Sequence, residues 1–157
     1  ELAVDIGSGN LVKKTIPDSY LLLSGKILDN IDVKQDSIIY EEYPKRDDVI
    51  TALNAADVAV LPNRKNAFSQ YCFPYKLAEY MATGIPIVAT EIGDSAIILS
   101  KLGHLCKPDN EHDMAEKLIY AIKKNKKVSY SRLLRNLAWE ALSKKLNKII
   151  IKNGRIN

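Results

Sequence analysis

The residues best placed to do chemistry in this chain lie in one run, FPYKLAEYMATGIPIVAT, from Phe73 to Thr90. Glu79 supplies a carboxylate, and Lys76 supplies a cation three positions earlier, one helical turn away. A carboxylate accepts hydrogen bonds from hydroxyl groups, and a lysine can pair with phosphate or another acidic group. Phe68 to Cys72 lead into this segment, where free backbone amides and a helix dipole favour a phosphate or sugar oxygen. A cation in a first turn opposes the dipole, so Lys76 needs a reason to be there. The competing readings are an exposed helix glutamate and a solvated lysine.

These groups require a helix to carry them, and the spacing predicts one. Leu77, Ala78, Met81 and Ala82 recur at helical intervals, and Pro74 suits a first turn whose N–H groups have no intrahelical acceptor. Gly84 can take positive φ just past the helix end. Glu79 falls in the same turn as the apolar positions, which predicts that it does not sit on a simple solvated face. Ile85 to Ala89 is then an uninterrupted apolar run, suited to a parallel strand covered on both faces.

Further elements alternate along the chain. Strands are expected at Tyr20–Ser24, Ser37–Tyr40, Asp57–Leu61 and His104–Cys106. Helices are expected over Leu2–Lys14, weakened by Gly7 and Gly9, over Asp47–Ala55, and over Asp94–Ser100 with Asp94 as N-cap. Another follows Asn110 and Asp113, and the chain reads as helical from Ser129 onward. Lys26–Asp36 and Asn63–Cys72 read as loops. The alternation predicts an α/β fold, a doubly wound parallel sheet with helices on both faces and a C-terminal helical tail. One sheet should contain Leu21–Ser24, Val58–Leu61 and Pro86–Ala89.

The chain has 157 residues, 46% hydrophobic and 27% charged, which fits a single soluble globular domain with a real core. It has no apolar run near the roughly 20 residues of a membrane-spanning helix, and no charged-then-apolar leader. Cys72 and Cys106 form no CxxC pattern and have no nearby histidine set, which argues against zinc and for reduced thiols in a cytoplasmic protein. His104 and His112 belong to no catalytic arrangement. The net charge of +4 is too modest and too sparsely mixed with aromatics for a nucleic-acid protein. Its late lysines, Lys123, Lys124, Lys126, Lys127, Lys144, Lys145, Lys148 and Lys152, read as a solvated helix face. The sharper alternative is attraction to an anionic membrane surface.

The motif PYKLAEYMATGIPIVAT resembles the nucleotide-sugar-binding, C-terminal half of glycosyltransferases with the GT-B fold, of the group 1 or family 4 type. YLLLSG at Tyr20–Gly25, AADVAVLP at Ala55–Pro62, the segment Thr90–Leu99 and that from Gly103 to Asn110 resemble its other pieces in order. The resemblance covers about residues 18 to 140. It implies a Rossmann-like domain and retaining transfer of a sugar from a nucleotide-diphosphate donor to a glycan, lipid or small acceptor. No metal and no cofactor are implied.

The counterpart of Glu79 in that family hydrogen-bonds the ribose hydroxyls, and Lys76, Tyr71, Cys72 and Phe73 fall around the donor. Tyr71 is a departure, because family members often place a sugar-contacting glutamate there. Gly25 and Tyr43 fall near the base or diphosphate, and Gly93 and Asp94 over the sugar, each with an ordinary turn or cap as its competing reading. No catalytic residue is assigned. The resemblance further implies a missing N-terminal domain, along with the first strand and the cationic loop that clamps the diphosphate, so the chain alone should be inactive. Two alternatives remain: a nucleotide-sugar epimerase of the same fold, and a non-enzymatic doubly wound ligand- or partner-binding module.

Overall fold

The computed structural model describes residues 6–25 and 33–153. The chain runs α1 (Ile6–Thr15), β1 (Leu21–Leu23), β2 (Ile38–Tyr40), α2 (Arg46–Ala55), β3 (Ala59–Leu61), α3 (Ala67–Tyr71) and α4 (Tyr75–Thr83). It continues through β4 (Ile87–Thr90), α5 (Gly93–Leu99), β5 (His104–Cys106), α6 (Glu111–Lys124), α7 (Ser131–Leu137) and α8 (Trp139–Asn153). Every strand pairing among the described residues is parallel, and helices intervene between most strands, as the alternation predicted.

The strands form two ladders, where one sheet was expected. β1 pairs with β2, with Leu21 opposite Ile38, and β3-β4-β5 form a three-stranded sheet with Ala59 opposite Ile87 and Val88 opposite His104. Val58–Leu61 and Pro86–Ala89 therefore belong together, and Leu21–Ser24 belongs to the other ladder. The cause is local: no described strand lies between β1 and β3 to connect them.

The central strand β4 explains where the core sits. Its side chains alternate between the two faces, and all four residues are buried. Ile87 and Ala89 face a cluster with Leu77 and Met81 of α4, Leu99 of α5 and Tyr130. Val88 faces the other cluster, with Val12 of α1, Cys106, and Met114, Ala115 and Leu118 of α6. The run Ile85–Ala89 is apolar throughout because both faces are covered.

Several expected boundaries shift. The loop Asn63–Cys72 contains α3, which starts at a capping box: the Asn66 side chain accepts from the Ser69 N–H, and the Ser69 hydroxyl accepts from the Asn66 N–H. Pro74 is the N-cap of α4, one position before its first turn. Asp94 lies inside the first turn of α5, whose N-cap is Ile92. The C-terminal helix is two helices, because Ala138 adopts extended backbone between α7 and α8. The expected helix over Leu2–Lys14 is seen as α1; Leu2–Asp5, and 26–32 of the Lys26–Asp36 loop, lie outside the described residues.

Candidate functional site

Helix α4 follows β3 and precedes β4, so it runs antiparallel to the strands and starts at their carboxyl edge. Its core face is narrow. Leu77 and Met81 are buried, Tyr80 is half-buried, and Gly84 ends the helix at φ +70°. Glu79 and Ala82 are exposed. Glu79 is thus on the solvent side of α4, contrary to its expected placement, because at 100° per residue it lies about 160° from both Leu77 and Met81. The sharing of a turn, on which the expectation rested, does not place residues on one face.

Lys76 precedes Glu79 by one turn. Desolvation holds its ammonium below the usual lysine range, while the Glu79 carboxylate pushes it back up. Burial raises the neighbouring Tyr80 phenol, and the Glu79 charge adds to it. The start of α4 has no side-chain cap; the Leu77 N–H donates to the Pro74 carbonyl oxygen at 2.9 Å, which leaves the Tyr75 and Lys76 N–H groups for an oxygen ligand. Tyr75 packs its ring edge-on against Phe73, with centroids 6.0 Å apart. Tyr71 is 85% exposed and Cys72 is an exposed free thiol.

The structure brings two groups of the expected site residues together. Gly93 has φ +50°, and a Cβ there would come within 2.8 Å of the carbonyl oxygens of both Ser69 and Gln70. That close approach docks the start of α5, with Asp94, directly against α3 and hence beside Tyr71 and Cys72. On the other ladder, Gly25 takes φ +101° just after β1. Its carbonyl oxygen lies 3.1 Å from the Tyr40 hydroxyl, which is also 3.0 Å from Glu42 Oε1. The Glu42 hydrogen bond raises the Tyr40 phenol. Tyr43 follows in the connection to α2, and α2 packs against α4.

None of these residues lines a cavity of about 410 Å³ elsewhere on the domain. That cavity lies at the carboxyl ends of all three strands of the larger sheet. Pro62, Asn63 and Arg64 follow β3, Thr90 ends β4, and Asp109 and Asn110 follow β5. The starts of α1 and α6 close it, through Ile6, Gly7 and Glu111. The carboxyl edge is where open α/β sheets bind ligands. Sequence reasoning missed Arg64 and Asn110 as lining residues, although each follows a predicted strand that is closed by proline, Pro62 or Pro108.

Among the described residues there is no cluster of three or more His, Cys, Asp or Glu side chains suited to a metal ion, and no helix is long and apolar enough to cross a membrane.

Two of the solved structures that resemble the fold illustrate the likeness. A glycosyltransferase from Rickettsia africae ESF-5 superposes with a TM-score of 0.69 at 16% identity, covering 97% of this chain and 44% of that one. The sucrose-phosphate synthase of Thermosynechococcus elongatus gives 0.65 at 19% identity, covering 96% of this chain and 43% of that one. The present chain therefore spans less than half the length of either. No curated protein sequence matches it. The sequence profile described as "Glycosyl transferases group 1" matches residues 10–124, well over half of the chain. The match begins inside α1 and ends with α6, and it takes in both ladders and α4; the chain belongs to the glycosyl transferases group 1 family.

Proposed function

We propose that this domain binds the nucleotide-diphosphate sugar of a two-domain GT-B glycosyltransferase, with Glu79 on the ribose hydroxyls and Lys76 beside the phosphates. The observation that carries the reading is the outward pair on α4. A carboxylate and a partly desolvated lysine stand one turn apart on a helix whose uncapped start points to the carboxyl edge. Tyr71, Cys72, Phe73, Gly93 and Asp94 surround that start, and Gly25 and Tyr43 reach the base from the smaller ladder. Tyr71 contacts the donor sugar through its ring and phenol, where a glutamate would offer a carboxylate.

Transfer is of the hexosyl type and retains the anomeric configuration, without a metal ion or cofactor. Charge on the leaving diphosphate is met by cations and helix N-termini. The acceptor is a glycan, a lipid or a small molecule bound by an N-terminal domain of the same protein. The enzyme works in the cytoplasm, with peripheral contact to the inner face of the membrane when the acceptor is a lipid. Residues 1–157 alone do not catalyse transfer, since orientation and preorganised charge fail without the facing domain.

Competition among uridine, guanosine and adenosine diphosphates for the full-length polypeptide tests donor binding, and product analysis tests transfer. Binding with transfer to an acceptor supports the reading. Interconversion of the donor sugar without an acceptor would replace it with epimerisation. No nucleotide binding would leave a partner-binding module. Turnover by residues 1–157 alone would contradict the two-domain assignment.

A further inference from the structure

Helices α7 and α8 are separated by one extended residue, Ala138, and meet different surroundings. Leu133, Leu134 and Leu137 of α7 pack against the core cluster that holds Leu77, Met81 and Tyr130. No side chain of α8 belongs to either core cluster of the described residues, and α8 packs chiefly on α7. Trp139 is 83% exposed, Leu142 is exposed, and Leu146, Ile149 and Ile150 are each more than half exposed. Helix α6 shows the ordinary outcome for an amphipathic helix in this chain: its Met114, Ala115, Leu118 and Ala121 are buried on the larger sheet.

The exposed residues of α8 form a stripe. At 100° per residue, Trp139, Leu142, Leu146, Ile149 and Ile150 share an arc of about 100° around the helix. Lys144, Lys145, Lys148 and Lys152 occupy an arc of similar width on the far side, and Ile151 lies outside the stripe. Glu140 is the single acidic residue of α8, so its polar face carries a strong positive charge. Lys145 and Lys152 stand about 40° and about 60° from Ile149, close enough for their stems to lie along the stripe with the ammonium groups carried outward. A protein partner is a poor match for that rim, because lysine is depleted at the buried centres of protein interfaces. An anionic lipid surface matches both halves of the helix, taking apolar side chains beneath its headgroups and ammonium groups at their level. Trp139, at the start of α8, has a side chain favoured at that boundary.

We infer that α8 is a membrane-docking helix, lying in the plane of an anionic lipid surface with Trp139, Leu142, Leu146, Ile149 and Ile150 in the boundary between headgroups and acyl chains. Its 15 residues span about 22 Å, short of the roughly 30 Å hydrocarbon core, and its lysines oppose crossing. The helix therefore rests on the membrane. Because α7 is anchored in the core, docking of α8 holds the larger sheet at the lipid surface. The inference deepens the peripheral contact proposed above by naming the element that makes it, and donor binding at α4 does not depend on it.

Cosedimentation of the full-length polypeptide with lipid vesicles tests it, using phosphatidylcholine alone and an equal mixture of phosphatidylcholine and phosphatidylglycerol. The mixed vesicles should bind at least about tenfold more tightly than the neutral ones. The double substitution Leu146→Asp with Ile149→Asp should weaken that binding by at least about tenfold while leaving urea unfolding unchanged. Replacing Lys144, Lys145, Lys148 and Lys152 together by Gln should abolish the preference for the anionic mixture. No binding, or equal binding to both vesicle types, would overturn the inference, as would full binding by the folded aspartate variant. If the aspartate variant unfolds, the glutamine variant decides: undiminished binding to the mixed vesicles contradicts the inference. A dimer that forms without vesicles and is dispersed by Leu146→Asp would also overturn it, because a second copy would then cover the stripe. Nucleoside diphosphate binding by the same samples reports on the donor site separately.

Discussion

The β3-β4-β5 region and the β1-β2 region are built from the same kind of parallel pairing, yet they differ sharply in cover. In the first, β4 is buried on both faces, and α4, α5 and Tyr130 close one side while α1 and α6 close the other. In the second, only Leu23 of β1 is buried, and Leu22 and Ile39 are exposed. The lesson concerns where a site can be held. Glu79, Lys76 and the Tyr71–Asp94 junction ride on elements anchored in the covered sheet, so their backbone is fixed by packing. Gly25 and Tyr43 ride on the thin ladder, where position depends on a few polar contacts such as Tyr40 to Gly25.

Truncation of Leu77, which is fully buried between α4 and the larger sheet, should break this comparison most visibly. Leu77→Ala is expected to cost about 2–5 kcal/mol in urea unfolding. Leu22→Ala, on the thin ladder, should cost less than about 1 kcal/mol. Equal losses would show that the two regions are equally packed.

Gly93→Ala comes next. It forces positive φ on an alanine and drives its methyl group into two carbonyl oxygens, so a loss of about 1–3 kcal/mol is expected, with loosening of α3 against α5. Loss of stability without faster amide exchange in α3 would mean that the junction is not what holds Tyr71.

Tyr130 sharpens the picture of the covered region. Its hydroxyl donates to Ile85 O at 3.2 Å, and Tyr130→Phe should cost about 1 kcal/mol. Burial pushes this phenol up to about 12, with a backbone hydrogen bond to Ile87 partly offsetting the rise. The unfolded chain gives up this proton near pH 10, before the folded chain does. The contribution is therefore complete below pH 10 and is lost as pH rises from 10 to about 12. Tyr130→Phe should flatten stability over that window, and an unchanged slope would place the phenol in contact with water.

The covered region is also the part that the sequence made legible. Ile85–Ala89 is apolar at every position because it is buried on both faces, and Gly84 marks the helix end because only positive φ fits there. Two kinds of feature were harder to read. The split between ladders is a matter of which strands are neighbours, and three-residue strands such as LLL and AVL carry no signal of order. The exposure of Glu79 was misjudged because a shared turn was weighed without the angle around the helix. For the site, composition could identify a carboxylate and a lysine one turn apart, but the cavity around Arg64 and Asn110 exists only through the convergence of β3, β5, α1 and α6. Helix α3 went unread, because its Asn66–Ser69 capping box lies inside a stretch that reads as loop.

The outward face of α4 is the point on which the functional account rests, and calorimetry on the full-length polypeptide with wild-type protein and Glu79→Ala addresses it. Glu79 is exposed, so the substitution should leave unfolding within about 0.5 kcal/mol of wild type. Binding of the preferred nucleoside diphosphate should weaken by about 1.5–3 kcal/mol, the value of a hydrogen bond to a charged group. Unchanged affinity in a folded Glu79→Ala protein would contradict the ribose role and remove α4 from the donor site.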